Sequence, residues 1–166
     1  MAQLCSLEDC RADDIERLLD TAFGGDRTSR TAYMLRDGTR FIRELSFGVE
    51  QHGTLIGSIQ CWPVMVTSKA EKAPLILVGP VAVHPDEQNS GHGHTLMQAT
   101  LKAAKRINEP PMVMIGDAEY YGRFGFSAEE TGGWTLPGPW EPHRLLLRNP
   151  ARHPLIGEGM VGPDKD

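Results

Sequence analysis

The sequence predicts a mixed α+β fold, in which a largely antiparallel sheet of about six to seven strands is flanked by about four helices. Three observations lead to this prediction. Strand-like and helix-like runs follow one another in the order β, α, α, β, β, β, α, β, α, β, β. A tight turn at His52-Gly53 joins two of the strand-like runs as a hairpin. One long run, residues 91–107, has the amphipathic pattern of a helix.

The length of 166 residues suits one compact domain with its own core. We predict that residues 1–148 form this single domain. Residues 149–166 are rich in glycine and proline, so an irregular C-terminal tail is expected there.

The elements of the first half are predicted from apolar spacing and from turn residues. Residues 2–7 form a short strand candidate. A helix is expected from residue 6 to 23, because apolar side chains recur there at helical spacing. These side chains belong to Ile15, Leu18, Leu19 and Ala22. Gly24-Gly25 ends this helix, residues 28–36 predict a second, shorter one, and two strand-like runs follow at 41–51 and 54–67.

The second half begins with a dense β run over residues 73–85, which Gly79-Pro80 interrupts. A proline inside a strand indicates an edge or a bulge, because it cannot donate a ladder hydrogen bond. The helical pattern of residues 91–107 ends before Pro110-Pro111. After it, residues 112–116 predict a short buried strand, residues 118–125 predict one or two helical turns, and residues 134–148 hold two more strand candidates.

Composition and charge narrow the class of protein. Hydrophobic residues make up 40% of the chain and charged residues 23%, as in ordinary globular proteins. The net charge of −5 weighs against a nucleic-acid partner, since binding nucleic acid rests on neutralising phosphates. We see no apolar run long enough for a bilayer and no signal pattern, so no membrane partner is expected. Cys5, Cys10 and Cys61 are too few and too scattered for a disulfide framework or a zinc site, which favours a cytoplasmic location.

The loop before the long helix carries two glycines, Gly91 and Gly93, at the predicted helix start. The first turn of a helix has N–H groups without intrahelical partners, and glycine allows a phosphate to come close to them. A Rossmann fingerprint would need glycine where Leu96 stands, and a P-loop would need a lysine after the second glycine. On this segment alone, a phosphate site and a capped turn are equally favoured.

A metal site is the other alternative at this loop. His84, Asp86, His92 and His94 are suitable ligand types. His92 and His94 lie two apart at a helix start, however, so their side chains point in different directions. We therefore predict no metal here.

The sequence on either side of the loop favours the phosphate site over the capped turn. Residues 88–93, QNSGHG, fit the pattern Q-x-x-G-x-G, residues 115–127 read IGDAEYYGRFGFS, and residues 136–139 read LPGP. Together, over most of residues 1–148, the chain resembles GNAT superfamily N-acetyltransferases, and within them the subgroup that combines these motifs. The resemblance implies the GNAT-type acyl-CoA N-acyltransferase fold.

The resemblance also implies acetyl-CoA as cosubstrate, with no metal. The amides around residues 91–94 would bind its pyrophosphate, and the strand at residues 81–83 would pair with its pantetheine arm. An amine would attack the thioester directly, a backbone N–H near Val81 would stabilise the oxyanion, and Tyr121 would protonate the departing thiolate. The implied cofactor-binding residues are Val81, Ala82, Val83, Gln88, Asn89, Ser90, Gly91, His92, Gly93, His94, Thr95, Tyr121 and Phe124.

Several features stay open at this point. The acceptor is a small-molecule or peptide amine, and its pocket is expected along residues 21–30 and 132–140. The sequence does not identify the general base. The candidate carboxylates are those of Glu44, Glu50 and Asp117, and each is better explained as a solvated or helix-capping side chain. The protein is expected to be a monomer or a homodimer. The loop lacks the lysine or arginine that is common at its variable positions, so we expect modest acetyl-CoA affinity.

Two other functions are possible interpretations of this sequence. Residues 122–130, GRFGFSAEE, partly match the RNP1 signature of RNA-binding modules, in which Phe124 and Phe126 would be stacking platforms on a strand. Ser127 and the acidic pair after it fit that signature poorly, and core phenylalanines are the safer interpretation. A domain of the same fold that binds CoA without catalysis is the second alternative, and only turnover distinguishes it from an enzyme.

Overall fold

The computed structural model of the protein describes residues 1–166 and has an α+β fold, as predicted. The strands are β1 (Ala2–Ser6), β2 (Phe47–Gln51), β3 (Thr54–Thr67), β4 (Lys72–Val83), β5 (Met112–Ile115), β6 (Trp134–Thr135), β7 (Leu145–Arg148) and β8 (Gly159–Pro163). The helices are α1 (Ala12–Phe23), α2 (Thr31–Met34), α3 (His92–Lys105) and α4 (Ala118–Tyr121). None of the helices combines the length and the apolar character that crossing a bilayer requires. A cytoplasmic location stays a prediction.

The sheet is open and mostly antiparallel, with strand order β1-β2-β3-β4-β5-β7. Strands β1 and β2, β2 and β3, and β5 and β7 pair antiparallel, whereas β4 and β5 pair in parallel through Ile76↔Met112 and Leu77↔Val113. The hairpin turn at His52-Gly53 is confirmed, since both residues have positive φ between β2 and β3. The sheet has eight strands rather than six to seven, because β8 pairs with β3 and β6.

The chain divides into two compact units, each assembled from three stretches. The first unit comprises Met1–Thr28, Phe41–Cys61 and Gly79–Ile107. Its helix α1 buries Ile15, Leu18 and Leu19, which recur at helical spacing on one face. The core cluster around them contains Leu7, Ile15, Leu18, Leu19, Leu55 and Ala82.

The second unit comprises Ser29–Arg40, Trp62–Val78 and Asn108–Asp166. Several of its largest buried side chains lie on strands β4, β5 and β7 and in the segment after α4. They are Leu75, Met112, Phe126, Leu145 and Leu146. The prediction of one domain over residues 1–148 stays a prediction.

The structure departs from the sequence prediction at both ends of the chain. Helix α1 begins at Ala12, not at residue 6, because a 3-10 turn at Leu7–Asp9 comes first. The C-terminal segment is not irregular throughout, since Gly159–Pro163 forms strand β8. This strand has two glycines and a proline in five residues, so its extended form depends on pairing with β3 and β6 and not on its own pattern.

Candidate functional site

The glycine loop connects the end of β4 to the start of α3, as predicted. A 3-10 turn at Pro85–Glu87 follows β4, and Gly91 is the N-cap of α3 with φ +82°. The carbonyl of Gly91 accepts hydrogen bonds from the amide of Thr95, at 3.0 Å, and from its hydroxyl, at 3.1 Å. The amides of His92 and Gly93 precede this first helical bond, so they have no intrahelical acceptor. This is the geometry of an anion-binding helix start.

The predicted loop residues are open to solvent. Six of them are exposed and two, His92 and Gly93, are partly buried. The exposed ones are Gln88, Asn89, Ser90, Gly91, His94 and Thr95. A Cβ atom added at Gly91 would meet nothing within 4 Å. The side chains that precede the loop, Asp86 and Glu87, are acidic, so within this segment the groups that attract an anion are the backbone amides of the helix start.

The histidine before the loop has a structural role. The Nδ1 atom of His84 accepts a hydrogen bond from the amide of Asp86 at 3.1 Å and so caps the 3-10 turn. A ring nitrogen that accepts this bond is already occupied. His84 therefore acts as a cap in this arrangement.

The strand segment Val81–Val83 is the predicted binding edge for the pantetheine arm. Ala82 is buried, and Val81 and Val83 are partly buried. The amide of His84 donates to the carbonyl of Ile56 in β3 at 2.7 Å, which holds this end of β4 in the sheet. The interruption before the segment is a cis peptide bond at Gly79-Pro80, with Gly79 at φ +123°. The ladder between β4 and β5 ends at Leu77↔Val113, before this interruption.

Tyr121 is the last residue of helix α4. Asp117 caps that helix, since its carboxylate accepts from the amide of Glu119 at 3.0 Å. The ring of Tyr121 packs edge-on against Tyr120, with centroids 4.8 Å apart. It also covers Gly116, where an added Cβ would lie 2.9 Å from two of its ring atoms. Gly116 therefore leaves the room that this tyrosine orientation needs.

Burial raises the pKa of Tyr121 above its ordinary value. The neighbouring Tyr120 and Asp117 raise it further, whereas Arg144 acts in the opposite direction. A phenol in these surroundings keeps its proton at neutral pH. It can therefore act as a hydrogen-bond donor or as an acid, but it is not a base at that pH.

The phenylalanines of the GRFGF segment are core residues. Phe124 is 8% exposed and lies in a 3-10 turn, and Phe126 is 2% exposed. The RNA-binding alternative needs both rings exposed on a strand. Phe124 and Phe126 are therefore not available as stacking platforms, and the partial match to RNP1 has no structural counterpart.

Glu44 and Asp117 are predicted candidates for the general base, and the LPGP segment is a predicted part of the acceptor pocket. Glu44 is exposed in the 3-10 turn Arg43–Leu45, and Asp117 is occupied as a helix cap. In the LPGP segment, the hydroxyl of Thr31 donates to the carbonyl of Pro139. A Cβ at Gly138 would lie 2.7 Å from the hydroxyl oxygen of Thr31, so helix α2 and this segment pack closely. An acceptor pocket along residues 21–30 and 132–140 stays a prediction.

Sequence reasoning missed two groupings of side chains. The guanidinium of Arg36 lies over two aromatic rings, 3.7 Å from the centroid of Tyr33 and 4.3 Å from that of Trp62. The sequence predicts scattered cysteines, but the Sγ atoms of Cys5 and Cys10 are 3.9 Å apart. The prediction of scattering is wrong for this pair, because the turn at Leu7–Asp9 folds Cys10 back onto β1. The approach of Trp62 to Arg36 depends on tertiary packing, and no pattern in the sequence indicates either grouping.

Comparison with known proteins supports one interpretation of this geometry. The sequence matches the family model described as an acetyltransferase (GNAT) domain over residues 5–128. No curated protein matches it closely. A GNAT family N-acetyltransferase from Escherichia coli in complex with CoA is 22% identical, with 99% of this chain and 89% of that chain covered and a TM-score of 0.73. A GNAT family acetyltransferase from Brucella melitensis in complex with acetyl-CoA is also 22% identical, with 99% and 96% covered and a TM-score of 0.64.

Proposed function

Because the chain belongs to the GNAT acetyltransferase family, we propose that it transfers the acetyl group of acetyl-CoA to a primary amine. The observation that carries this proposal is the exposed first turn of α3 directly after β4, with Gly91 in the left-handed conformation. Such a turn offers backbone N–H groups to a pyrophosphate. The solved structures with the same fold that hold CoA and acetyl-CoA support an acyl-CoA ligand.

The proposed binding mode assigns one part of the cosubstrate to each backbone feature. The pyrophosphate is held by the amides of residues 91–94, with Gln88 to Ser90 and Thr95 around it. The pantetheine arm pairs with residues 81–83 as an added strand would. No lysine or arginine lies among residues 88–95, so binding depends on neutral donors. We therefore expect a dissociation constant in the micromolar range or weaker.

The proposed reaction is direct attack of the neutral amine on the thioester carbon. A C–N bond forms, and the carbonyl oxygen becomes an oxyanion that the N–H of Val81 stabilises. The C–S bond then breaks, and the sulfur atom takes the hydroxyl proton of Tyr121. The surplus proton on the new amide nitrogen leaves to water, and the phenolate regains a proton from solvent. Because burial raises the pKa of Tyr121, its hydroxyl is protonated at neutral pH and has a proton to donate.

The substitution Tyr121→Phe tests this assignment. We expect it to lower turnover by about 10²-fold or more, as loss of a general acid does, while leaving acetyl-CoA binding unchanged. Turnover is measured as released CoA thiol over a panel of primary amines, and binding by calorimetry.

Tyr120→Phe is the matched control, since it removes a hydroxyl one residue away on the same helix. Its turnover should match that of the unmodified protein. A Tyr121→Phe variant with full turnover would refute the acid role. Binding of acetyl-CoA without turnover on any amine would instead identify a non-catalytic CoA-binding module.

A further inference from the structure

Three side chains of the first unit converge beside the edge strand β1. Strands β1 and β2 pair with Cys5 opposite Gly48 and with Gln3 opposite Glu50. Residues two apart on a strand share a face, so Cys5 and Glu50 lie on the same side of this pair. The Oε1 atom of Glu50 is 3.4 Å from the Sγ atom of Cys5.

Cys10 completes the group from the turn that follows β1. The turn at Leu7–Asp9 is closed by the amide of Cys10, which donates to the carbonyl of Leu7 at 3.0 Å. This brings the Sγ atom of Cys10 to 3.9 Å from that of Cys5 and 3.9 Å from the Oε1 atom of Glu50. All three residues are partly buried, so the cluster is neither fully enclosed nor freely solvated.

Glycine at position 48 leaves room for the two sulfur atoms. A Cβ added there would lie 3.2 Å from the Sγ atom of Cys5 and 3.4 Å from that of Cys10. It would also lie 2.9 Å from a methyl carbon of Leu55, so a larger residue would require these side chains to shift. The space over Gly48 is therefore filled by the two sulfur atoms and by Leu55.

We propose that Cys5, Cys10 and Glu50 bind one thiophilic divalent cation of the Zn²⁺ class, with water as the fourth ligand. Tetrahedral zinc has Zn–S bonds of about 2.3 Å and Zn–O bonds of about 2.0 Å, which places two sulfur ligands about 3.8 Å apart and sulfur about 3.5 Å from oxygen. The three ligand atoms of the cluster all lie within 4.8 Å of one another, at separations of 3.9, 3.4 and 3.9 Å. Two of these separations match the zinc values closely, and the third, from the Sγ atom of Cys10 to the Oε1 atom of Glu50 at 3.9 Å, needs only a small shift of the side chains.

The surroundings of the cluster are acidic and so favour a cation. Glu50 is one of its three members, and Glu8 and Asp9 lie in the turn that precedes Cys10. A bound divalent cation would replace the two thiol protons, which pass to solvent, so its affinity should fall as the pH is lowered.

A disulfide between the same cysteines is less favoured. A disulfide needs a sulfur separation of about 2.05 Å, roughly half of the distance found here. Forming it would also require an oxidant to accept two electrons, whereas metal binding requires only the loss of two protons. A disulfide, moreover, gives no role to the carboxylate of Glu50, which lies close to both sulfur atoms.

Titration of the full-length protein with Co²⁺, followed by displacement with Zn²⁺, tests the proposal. The protein is kept reduced with a phosphine and freed of metal on a chelating resin. We expect one equivalent of Co²⁺ to bind, with the thiolate-to-cobalt charge-transfer absorption of two sulfur ligands, and one equivalent of Zn²⁺ to remove that absorption. Zn²⁺ should also raise the melting temperature, since the ion would link β1, the turn and β2.

Three variants separate the ligands from the rest of the chain. Cys5→Ser and Cys10→Ser should each abolish stoichiometric binding, and Glu50→Gln should weaken it at least tenfold while keeping the sulfur absorption. Cys61→Ala is the control, because Cys61 is a fully buried cysteine outside the cluster. Far-UV circular dichroism verifies that each variant is folded.

Two outcomes would overturn the proposal. One is the absence of the charge-transfer absorption in the reduced protein. The other is binding that survives unchanged in Cys5→Ser, Cys10→Ser and Glu50→Gln. A reduced protein that binds no metal, and in which Cys5 and Cys10 join as a disulfide in air, would identify the pair as a redox couple instead.

Discussion

Cys61 lies in β3 with no exposed surface, and burial raises the pKa of its thiol to about 12. Its amide donates to the hydroxyl oxygen of Ser46 at 3.0 Å, so the strand is fixed at this point. The folded state therefore favours the thiol form of Cys61 over the thiolate.

A pH dependence of stability follows from this raised pKa. The folded value, about 12, is above the ordinary value of 9.0, so the stabilisation is fully present below pH 9 and is lost as the pH rises toward 12. We expect Cys61→Ala to remove part of this loss of stability at alkaline pH, on the order of a few kcal/mol as the pH approaches 12. Denaturant unfolding at a series of pH values measures this. If the free energy of unfolding falls equally steeply with pH in the variant and in the unmodified protein, the expectation is contradicted.

Single residues also show where sequence reasoning succeeds and where it stops. Tyr121 could be singled out because of its place in the GDAEYYGRFGF motif, five residues before Phe126, and its role stays a prediction. The contact between Cys5, Cys10 and Glu50 could not be predicted. It depends on the register of β1 against β2, which spacing along the chain does not determine.

At the scale of elements, helix α3 carries the proposed binding function. Its N-cap, Gly91, has φ +82°, a conformation that costs a residue with a Cβ about 1–2 kcal/mol. The sequence predicted this helix within two residues at each end, because glycine at its start and an amphipathic pattern agree. Helix α2 was predicted less well. Its four residues are too few to establish a period.

The substitution Gly91→Ala tests the start of α3. We expect it to lower the free energy of unfolding by about 1–2 kcal/mol through backbone strain. It should also weaken acetyl-CoA binding about tenfold, the equivalent of one lost hydrogen bond. Gly25→Ala is the control, since Gly25 has no positive φ and an added Cβ there meets nothing within 4 Å. Equal binding and stability in both variants would refute the assigned role of the loop.

At the scale of the whole molecule, the sheet extends further along the chain than the sequence indicates. Strand β8 pairs with β3 through four residues, among them Val66↔Val161. The indole nitrogen of Trp134 donates to the carbonyl of Ile156 at 2.7 Å, which anchors the segment before β8. The glycines and prolines of this segment do not predict a strand. Strand β8 forms nevertheless, because a short strand that pairs with its neighbours does not require a high β-propensity of its own.

The substitution Val161→Ala measures how much β8 contributes. Val161 has no exposed surface, so removing two methyl groups should lower the free energy of unfolding by about 2 kcal/mol. Met160→Ala is the matched control, since Met160 is 51% exposed on the same strand and should change stability little. Chemical denaturation gives both values. A Val161→Ala variant as stable as Met160→Ala would show that β8 does not contribute to the folded core.

We propose that this acidic chain binds acetyl-CoA through backbone amides, without basic side chains in the loop. Calorimetric titration of the full-length protein with acetyl-CoA tests it most directly. We predict one site with a dissociation constant in the micromolar range or weaker. A dissociation constant well below micromolar, or no binding at millimolar acetyl-CoA, would contradict the account.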